Sequence, residues 1–441
     1  MTYKRNHKFL LFISALVGII TGLIGTFFQI FIKEIYTWKL GVLDSLSSST
    51  FMQYLFIIPL TIAFIILAAW GTRKFNQTAA GSGIPEVEGE MSDRRCINWK
   101  TLLPVKFIGG ILAQTSGLVV GREGPTVHMG SAVGKMFSNL CKLDEEFKNT
   151  MLASGAGAGL AAAFNAPIAG ILFVIEEMRS SFKFSIFAKQ CVIIATICAV
   201  IVLRLFLGVK PDITMTYFDW PPTTSLWIFV IFGACFGVMG FIFNKCLIFV
   251  LNYMAGLKPS IFWSAVTVFS IFIAICTVQF PDIIGGGYDV IPKTLKYSIP
   301  AGILIIIFLI RLCTTWVSYG VGTPGGIFAP MLALGTTFGV MFGYYSNSFT
   351  GLNLHPGIFA VAGMGALFSA TVGAPLTGII LVVELTFNFA LLLPMIVTCF
   401  SAMAVSYALG NKHIYEVLLE RKIEIEKRRS EEKNEKTILK K

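Results

Sequence analysis

Charged residues are scarce in this chain of 441 residues, of which only 13% are Asp, Glu, Lys or Arg while 55% are hydrophobic. That charged share is about half of what soluble globular proteins carry. It leaves too few charged side chains to cover the surface of a water-soluble globule of this length. The composition therefore excludes an ordinary soluble protein.

Motifs for catalysis and metal binding are also missing. The sequence contains neither HExxH nor GxSxG, its nine cysteines form no CxxC pair, and its four histidines (His7, His128, His355 and His413) do not cluster. A hydrolase needs a nucleophile with a nearby base, or a metal cluster. We therefore predict a protein that is not an enzyme and that holds no metal or other cofactor.

The sequence is instead rich in long apolar runs, near the roughly 20 residues that an α-helix needs to cross a bilayer. These runs are Phe9–Ile32, Phe51–Trp70, Ile186–Leu207, Leu226–Leu251, Ile261–Phe280 and Ala301–Leu312. They predict an all-α polytopic membrane protein, with membrane lipid as one of its partners.

The net charge of +11 is concentrated at the two ends and in a few loops. Lys4, Arg5 and Lys8 precede the first apolar run, and the segment from Glu416 to Lys441 is a mixed-charge tail rich in Lys and Arg. Positive flanks favour the cytoplasmic side of a membrane, so both termini are expected there. No folded basic domain accompanies this charge, which argues against nucleic acid as a partner.

Many of the 42 glycines and 17 prolines lie inside apolar segments. Helix packing alone explains a small-residue face such as 155–159. It does not easily explain the segments 81–85 (GSGIP) and 325–330 (GGIFAP), whose composition stops one helix and starts another. We therefore predict broken helices within the membrane.

The chain also repeats itself. One set of matches has a constant offset: Gly155/Gly363, Gly157/Gly365, Ala166-Pro167/Ala374-Pro375, Gly170-Ile171/Gly378-Ile379 and Glu176/Glu384. A second set has nearly the same offset: Lys106/Arg311, Gly121/Gly326, Pro125/Pro330, Gly130/Gly335, Gly134/Gly339 and Met136-Phe137/Met341-Phe342. We predict a first transmembrane repeat at 1–210, a second at 211–420 and a charged cytoplasmic tail at 421–441. Internal repeats with interrupted helices are typical of secondary transporters, and the residues alone leave parallel and inverted halves open.

Broken helices can bind an anion that has lost its water. The first N–H groups of a helix are unpaired and carry a partial positive charge. Glycine lets the backbone approach the ion, and proline suits the first helical turn. The segments 81–85, 121–125 and 325–330 have this form. The Ser82 hydroxyl can donate to an anion or cap the following helix, and both roles stay open.

Three of the charged positions in or beside apolar segments are candidates for a function. Glu123 can occupy an anion site when ionised and leave it when protonated; the alternative is a salt bridge with Arg122. Glu177 either serves proton entry or marks, with Glu176, a helix end that meets water. Lys106 either attracts anions or extends to the membrane interface.

The motifs GSGIPEVEG at 81–89, GREGP at 121–125 and GGIFAP at 325–330 resemble the CLC family of chloride channels and proton-coupled chloride transporters. The resemblance covers about 10–420, and no long soluble part follows Tyr415, as in a compact prokaryotic member. It implies a homodimer in the cell inner (plasma) membrane, with one pore per subunit and two inverted-topology repeats.

The resemblance also implies the roles of individual residues. Ser82 and Tyr415 would bind the central chloride through their hydroxyls, and Ile327 and Phe328 through their backbone amides. Glu123 would be the external gate and proton carrier, and Glu177 the internal proton-transfer residue. Supporting positions in or beside the motifs are Gly81, Gly83, Pro85, Lys106, Arg122, Gly124 and Pro125.

Two details of the resemblance narrow the function. Serine at position 82 goes with chloride preference, whereas proline there goes with nitrate and methionine with fluoride. Retention of both Glu123 and Glu177 favours chloride–proton antiport over a passive voltage- or pH-gated chloride channel. His128 lies where bacterial members commonly have glutamine, and we attach no functional change to it.

Overall fold

The computed structural model describes residues 7–180, 185–209, 213, 215, 217–296 and 299–438. Seventeen α-helices account for most of this part of the chain. They are α1 His7–Ser45, α2 Thr50–Phe75, α3 Ile84–Met91, α4 Trp99–Ser116, α5 Glu123–Cys141, α6 Glu145–Phe164, α7 Pro167–Glu177, α8 Ile186–Leu207, α9 Leu226–Gly256, α10 Pro259–Gln279, α11 Val290–Leu295, α12 Ala301–Gly320, α13 Phe328–Thr350, α14 Pro356–Val372, α15 Pro375–Thr386, α16 Leu392–Ala408 and α17 Ile414–Ile438.

Seven segments of the described residues are long and apolar enough to cross a membrane. Six of them contain the apolar runs named above, nearly in full. The seventh, Phe389–Ala408, is not among those runs. Its apolar residues are interrupted by Pro394 and by small polar side chains. The prediction of an all-α polytopic membrane protein is confirmed.

Other helices are too short to span a bilayer. At 1.5 Å per residue, α3 with 8 residues and α7 with 11 residues extend only about 12 Å and 17 Å. Both have proline in the first turn. Proline is tolerated there because that N–H has no helical partner. The glycine and proline segments thus end and start helices, as predicted.

Equivalent helices of the two halves make equivalent contacts. Helix α5 packs on α6 as α13 packs on α14, and α1 packs on α8 as α9 packs on α16. Glycines make the closest approaches possible. A Cβ on Gly130 would collide with the carbonyl of Gly155, and one on the matching Gly335 with that of Gly363. Glycines that match between the two repeats therefore make the same close helix contacts in the two halves.

Two glutamates reveal how the halves are related. Glu176, at the end of α7, accepts hydrogen bonds from the backbone N–H groups of Leu376 and Thr377, at the start of α15. Its repeat partner Glu384, near the end of α15, accepts from Ile168 and Ala169, at the start of α7. Each helix therefore ends where the other begins, so these equivalent helices are antiparallel. The inverted relation that the resemblance implied is confirmed.

The predicted boundary between the halves, at 210 and 211, lies outside the described residues. The segment after 420 is helical where it is described, because α17 continues from Ile414 through Ile438. Several side chains attach this helix to the membrane region. Lys422 pairs with the buried Glu86 of α3 at 2.8 Å, and Arg421 donates to the carbonyl of Leu251 in α9 at 2.7 Å. Tyr415 stands on the first turn of the helix that they fix.

Candidate functional site

The three glycine-containing motifs meet in space. The N–H of Gly121 donates to the carbonyl of Gly326 at 2.7 Å, and the N–H of Gly326 donates back at 2.8 Å. Gly81 is joined to the same segment, since the N–H of Gly325 donates to its carbonyl at 3.1 Å. Residues 81–85, 121–125 and 325–330, which are far apart in the sequence, therefore border one site.

Three helices begin at this meeting point: α3 at Ile84, α5 at Glu123 and α13 at Phe328. Unpaired N–H groups of their first turns bring partial positive charge to one place, without the full charge of a lysine or arginine side chain. Gly124 allows the approach, because a Cβ there would lie 2.5 Å from the Cβ of Ser82. Gly83 has a φ of +88°, and a Cβ on it would collide with the ring of His128. Glycine is required at both positions.

The two hydroxyl groups predicted to bind chloride are buried in this region. The Oγ of Ser82 accepts a long hydrogen bond from the N–H of Ile84, at 3.4 Å. This is a weak form of the capping role left open above, and the hydroxyl proton can still be donated. The hydroxyl of Tyr415 is buried and has no hydrogen-bond partner among the described residues. Burying a hydroxyl without a hydrogen-bond partner costs free energy of folding. Such a group is typical of a ligand-binding site.

Ile327 and Phe328 are fully buried where α13 begins. Glu123, also fully buried, extends its carboxyl group to the same helix start. Its Oε2 accepts from the N–H of Ala329 at 3.4 Å, and its Oε1 accepts from the hydroxyl of Tyr288. A carboxylate therefore occupies a helix N-terminus of the kind that binds anions. The guanidinium of Arg122 lies over the ring of Tyr288, 4.5 Å from its centroid.

Glu177 is the last residue of α7 and is only 7% exposed. The alternative in which it marks a helix end in water is therefore wrong. It interacts electrostatically with Glu88, Glu176 and Glu416, and Glu416 is exposed. Tyr415 is near enough to interact electrostatically with both Glu177 and Glu123, the two predicted proton carriers.

Lys106 does not extend to the interface, because its side chain is fully buried. Its Nζ donates to the carbonyls of Ala79 and Gly81, at 3.0 and 2.7 Å, and so fixes the loop that carries Ser82. Its repeat partner Arg311 is equally buried and donates to the carbonyls of Asp282, Ile284 and Gly285. The two cations hold equivalent loops in the two halves.

The sequence reasoning missed two tyrosines at the site. The hydroxyl of Tyr319 accepts from the N–H of Ser82 at 3.3 Å, and Tyr288 donates to Glu123. The sequence does contain an indication that Tyr288 lies near the site. The matched pair Lys106/Arg311 marks the Gly285-Gly286-Gly287 loop as the counterpart of the Ser82 loop, and Tyr288 follows it directly. Among the described residues, no group of three His, Cys, Asp or Glu side chains could hold a metal ion.

Comparison with known proteins gives a consistent result. The family model described as "Voltage gated chloride channel" matches residues 62–407. The "H(+)/Cl(-) exchange transporter ClcA" of Vibrio campbellii is 42% identical over 427 residues, which are 96% of this chain and 91% of that protein. The protein of the same name from Vibrio cholerae is 44% identical over 426 residues, 95% of this chain and 90% of that one.

Solved structures agree with this assignment. A slow cyanobacterial Cl⁻/H⁺ antiporter has a TM-score of 0.90 and 36% identity, with 94% of this chain and 98% of that chain covered. A CLC-type fluoride/proton antiporter has a TM-score of 0.77 at 21% identity, covering 92% of this chain and 98% of that one, and shows the shared fold alone. With its inverted halves and its three helix starts around one buried carboxylate, the chain belongs to the voltage-gated chloride channel (CLC) family.

Proposed function

We propose that the protein is a secondary active transporter that exchanges chloride for protons across the inner (plasma) membrane. The observation that carries this proposal is the position of Glu123. Its carboxyl group lies at the start of α13, beside the buried amides of Ile327 and Phe328. A carboxylate and a halide would therefore compete for the same positive helix end. The two Vibrio relatives are named as H⁺/Cl⁻ exchange transporters, which supports the same function.

Chloride is proposed to bind between the hydroxyls of Ser82 and Tyr415 and the amides of Ile327 and Phe328. All four residues are fully buried, so a bound ion would be dehydrated. Neutral donors and helix dipoles replace its hydration. Direct contact with a lysine or arginine side chain, which would hold the ion too tightly for release, is not needed. Lys106 acts through the backbone, because it fixes the loop of Ser82.

Glu123 is proposed to couple the two ions. Ionised, it stays at the start of α13 and blocks the path of chloride. Protonated, it loses its attraction to the helix end and leaves, so chloride enters as the proton departs with the side chain. One residue thereby serves as gate and proton carrier.

Glu177 is proposed to pass protons between the cytoplasm and Glu123. Its burial beside Glu88, and the exposed Glu416 nearby, support an inner entrance that is separate from the chloride path. In this scheme both termini are cytoplasmic, two copies assemble into a homodimer with one pore each, and residues 1–210 and 211–420 are the two repeats. No catalytic step or resident cofactor is needed.

Reconstituted vesicles test the function. A chloride gradient imposed across sealed proteoliposomes should drive protons uphill, in the direction opposite to chloride. A pH electrode and a chloride electrode in the same chamber record both fluxes. Chloride movement without any proton movement would refute antiport and support the passive channel instead. Vesicles without protein control for leak.

A further inference from the structure

The loop that precedes α11 is the second-half counterpart of the loop that carries Ser82. Lys106 binds the carbonyl of Ala79, and Arg311 binds the carbonyl of Ile284, which lies at the same offset as the Lys106/Arg311 pair. The first loop presents the Ser82 hydroxyl to the predicted chloride site. The second presents Tyr288, to which neither the family assignment nor the proposed mechanism gives a role.

The backbone that carries Tyr288 is firmly held. Arg311 donates to the carbonyls of Asp282, Ile284 and Gly285 at 2.9 to 3.0 Å. The N–H of Gly285 donates to the carbonyl of Gly117 at 2.9 Å. A fixed backbone orients the side chain that it carries with little loss of conformational entropy, which is what a positioning residue requires.

The side chain of Tyr288 is fixed at both ends. Its ring lies 4.5 Å from the guanidinium carbon of Arg122, and its hydroxyl donates to Oε1 of Glu123. The other carboxylate oxygen, Oε2, accepts from the N–H of Ala329. Each oxygen of the gate therefore has its own donor, one from the predicted chloride-binding helix end and one from Tyr288.

We propose that Tyr288 is a positioning residue that holds the ionised Glu123 in its blocking place and thereby sets how readily the gate opens. This rests on the proposed gating role of Glu123. A hydroxyl that donates to a carboxylate stabilises the ionised form, because the protonated form accepts a weaker hydrogen bond. Loss of this donor favours both protonation of Glu123 and its departure from the helix end.

Tyr288→Phe is the sharpest test, since it removes the donor and keeps the ring against Arg122. Chloride competes with the carboxylate, so isothermal titration calorimetry on the purified full-length protein should show about tenfold tighter chloride binding. The pH midpoint of chloride turnover in vesicles should move upward by about one unit, because tenfold corresponds to one pH unit. Tyr36→Phe is the matched control. It removes a hydroxyl that contacts Asp289, beside Tyr288, and should change neither value.

The Glu123→Gln background separates positioning from simple structural support. There Tyr288 has only a neutral hydrogen bond to lose, so Tyr288→Phe should change chloride affinity by about threefold, clearly less than in the wild-type background. An equal change in both backgrounds, or no change in either, would overturn the proposal. The binding assay does not depend on proton coupling. A protein that binds chloride but moves no protons would refute the antiport function alone, whereas a wild type that binds no chloride would refute both.

Discussion

Replacing Glu123 with glutamine removes the charge that competes with chloride and keeps the shape of the side chain. The carboxylate accepts two hydrogen bonds, from Tyr288 and from the N–H of Ala329. Hydrogen bonds to charged groups are worth about 1.5–3 kcal/mol and neutral ones about 0.5–1.5 kcal/mol. In glutamine the amide oxygen can accept from the N–H of Ala329 while the NH2 group donates to the Tyr288 hydroxyl, so both contacts remain as neutral hydrogen bonds. Two bonds that each weaken by roughly 1 kcal/mol lower the cost of displacing the side chain by about 2 kcal/mol, or some thirtyfold in affinity.

Calorimetric titration of the purified Glu123→Gln variant should therefore show a chloride dissociation constant reduced by roughly ten- to a hundredfold. In vesicles the same variant should move chloride and carry no protons, because glutamine does not titrate. Glu384→Gln is the matched control, since that carboxylate also accepts two hydrogen bonds, in its case both from backbone N–H groups at the start of α7. It should leave chloride affinity unchanged. Unaltered affinity and persistent proton coupling in Glu123→Gln would refute the reasoning.

Other changes test separate parts of the account. Glu177→Gln should abolish proton flux and keep chloride flux in paired-electrode assays, and preserved coupling would return this residue to a structural role. Ser82→Pro removes both a hydroxyl and an N–H donor, and the ratio of nitrate to chloride flux should rise; an unchanged ratio would argue against Ser82 as a ligand. Gly130→Ala should destabilise the protein by about 1–3 kcal/mol, because the new methyl group meets the carbonyl of Gly155. A lower midpoint of thermal unfolding in detergent checks this, and an unchanged midpoint would contradict the close packing.

Composition and helix breakers predicted much of this architecture. Apolar runs identify helices because a bilayer imposes their length, and glycine with proline marks where helices stop and start again. The repeat matches indicated two homologous halves, in which Gly130 packs on Gly155 as Gly335 packs on Gly363. These features are local or periodic, so a single sequence reveals them.

Contacts between segments that are far apart in the chain could not be predicted from the sequence in the same way. The sequence marks Glu176 and Glu384 as equivalent but does not say that each caps the other's helix, and that exchange is what makes the inversion visible. The repeat offset marks the glycine loop before Tyr288, but only the fold shows that this side chain reaches Glu123, 165 residues away in the chain. The sequence leaves Lys106 open between attracting anions and extending to the interface, because its carbonyl partners lie in another segment.

The most direct test of the anion site is a crystal structure of the protein grown or soaked in bromide, with anomalous diffraction recorded at the bromine absorption edge. We expect an anomalous peak in contact with the hydroxyls of Ser82 and Tyr415 and the amides of Ile327 and Phe328. We also expect a second peak at the start of α13 when Glu123 is replaced by glutamine. Bromide bound only by lysine or arginine side chains, with none where 81–85, 121–125 and 325–330 meet, would contradict the account.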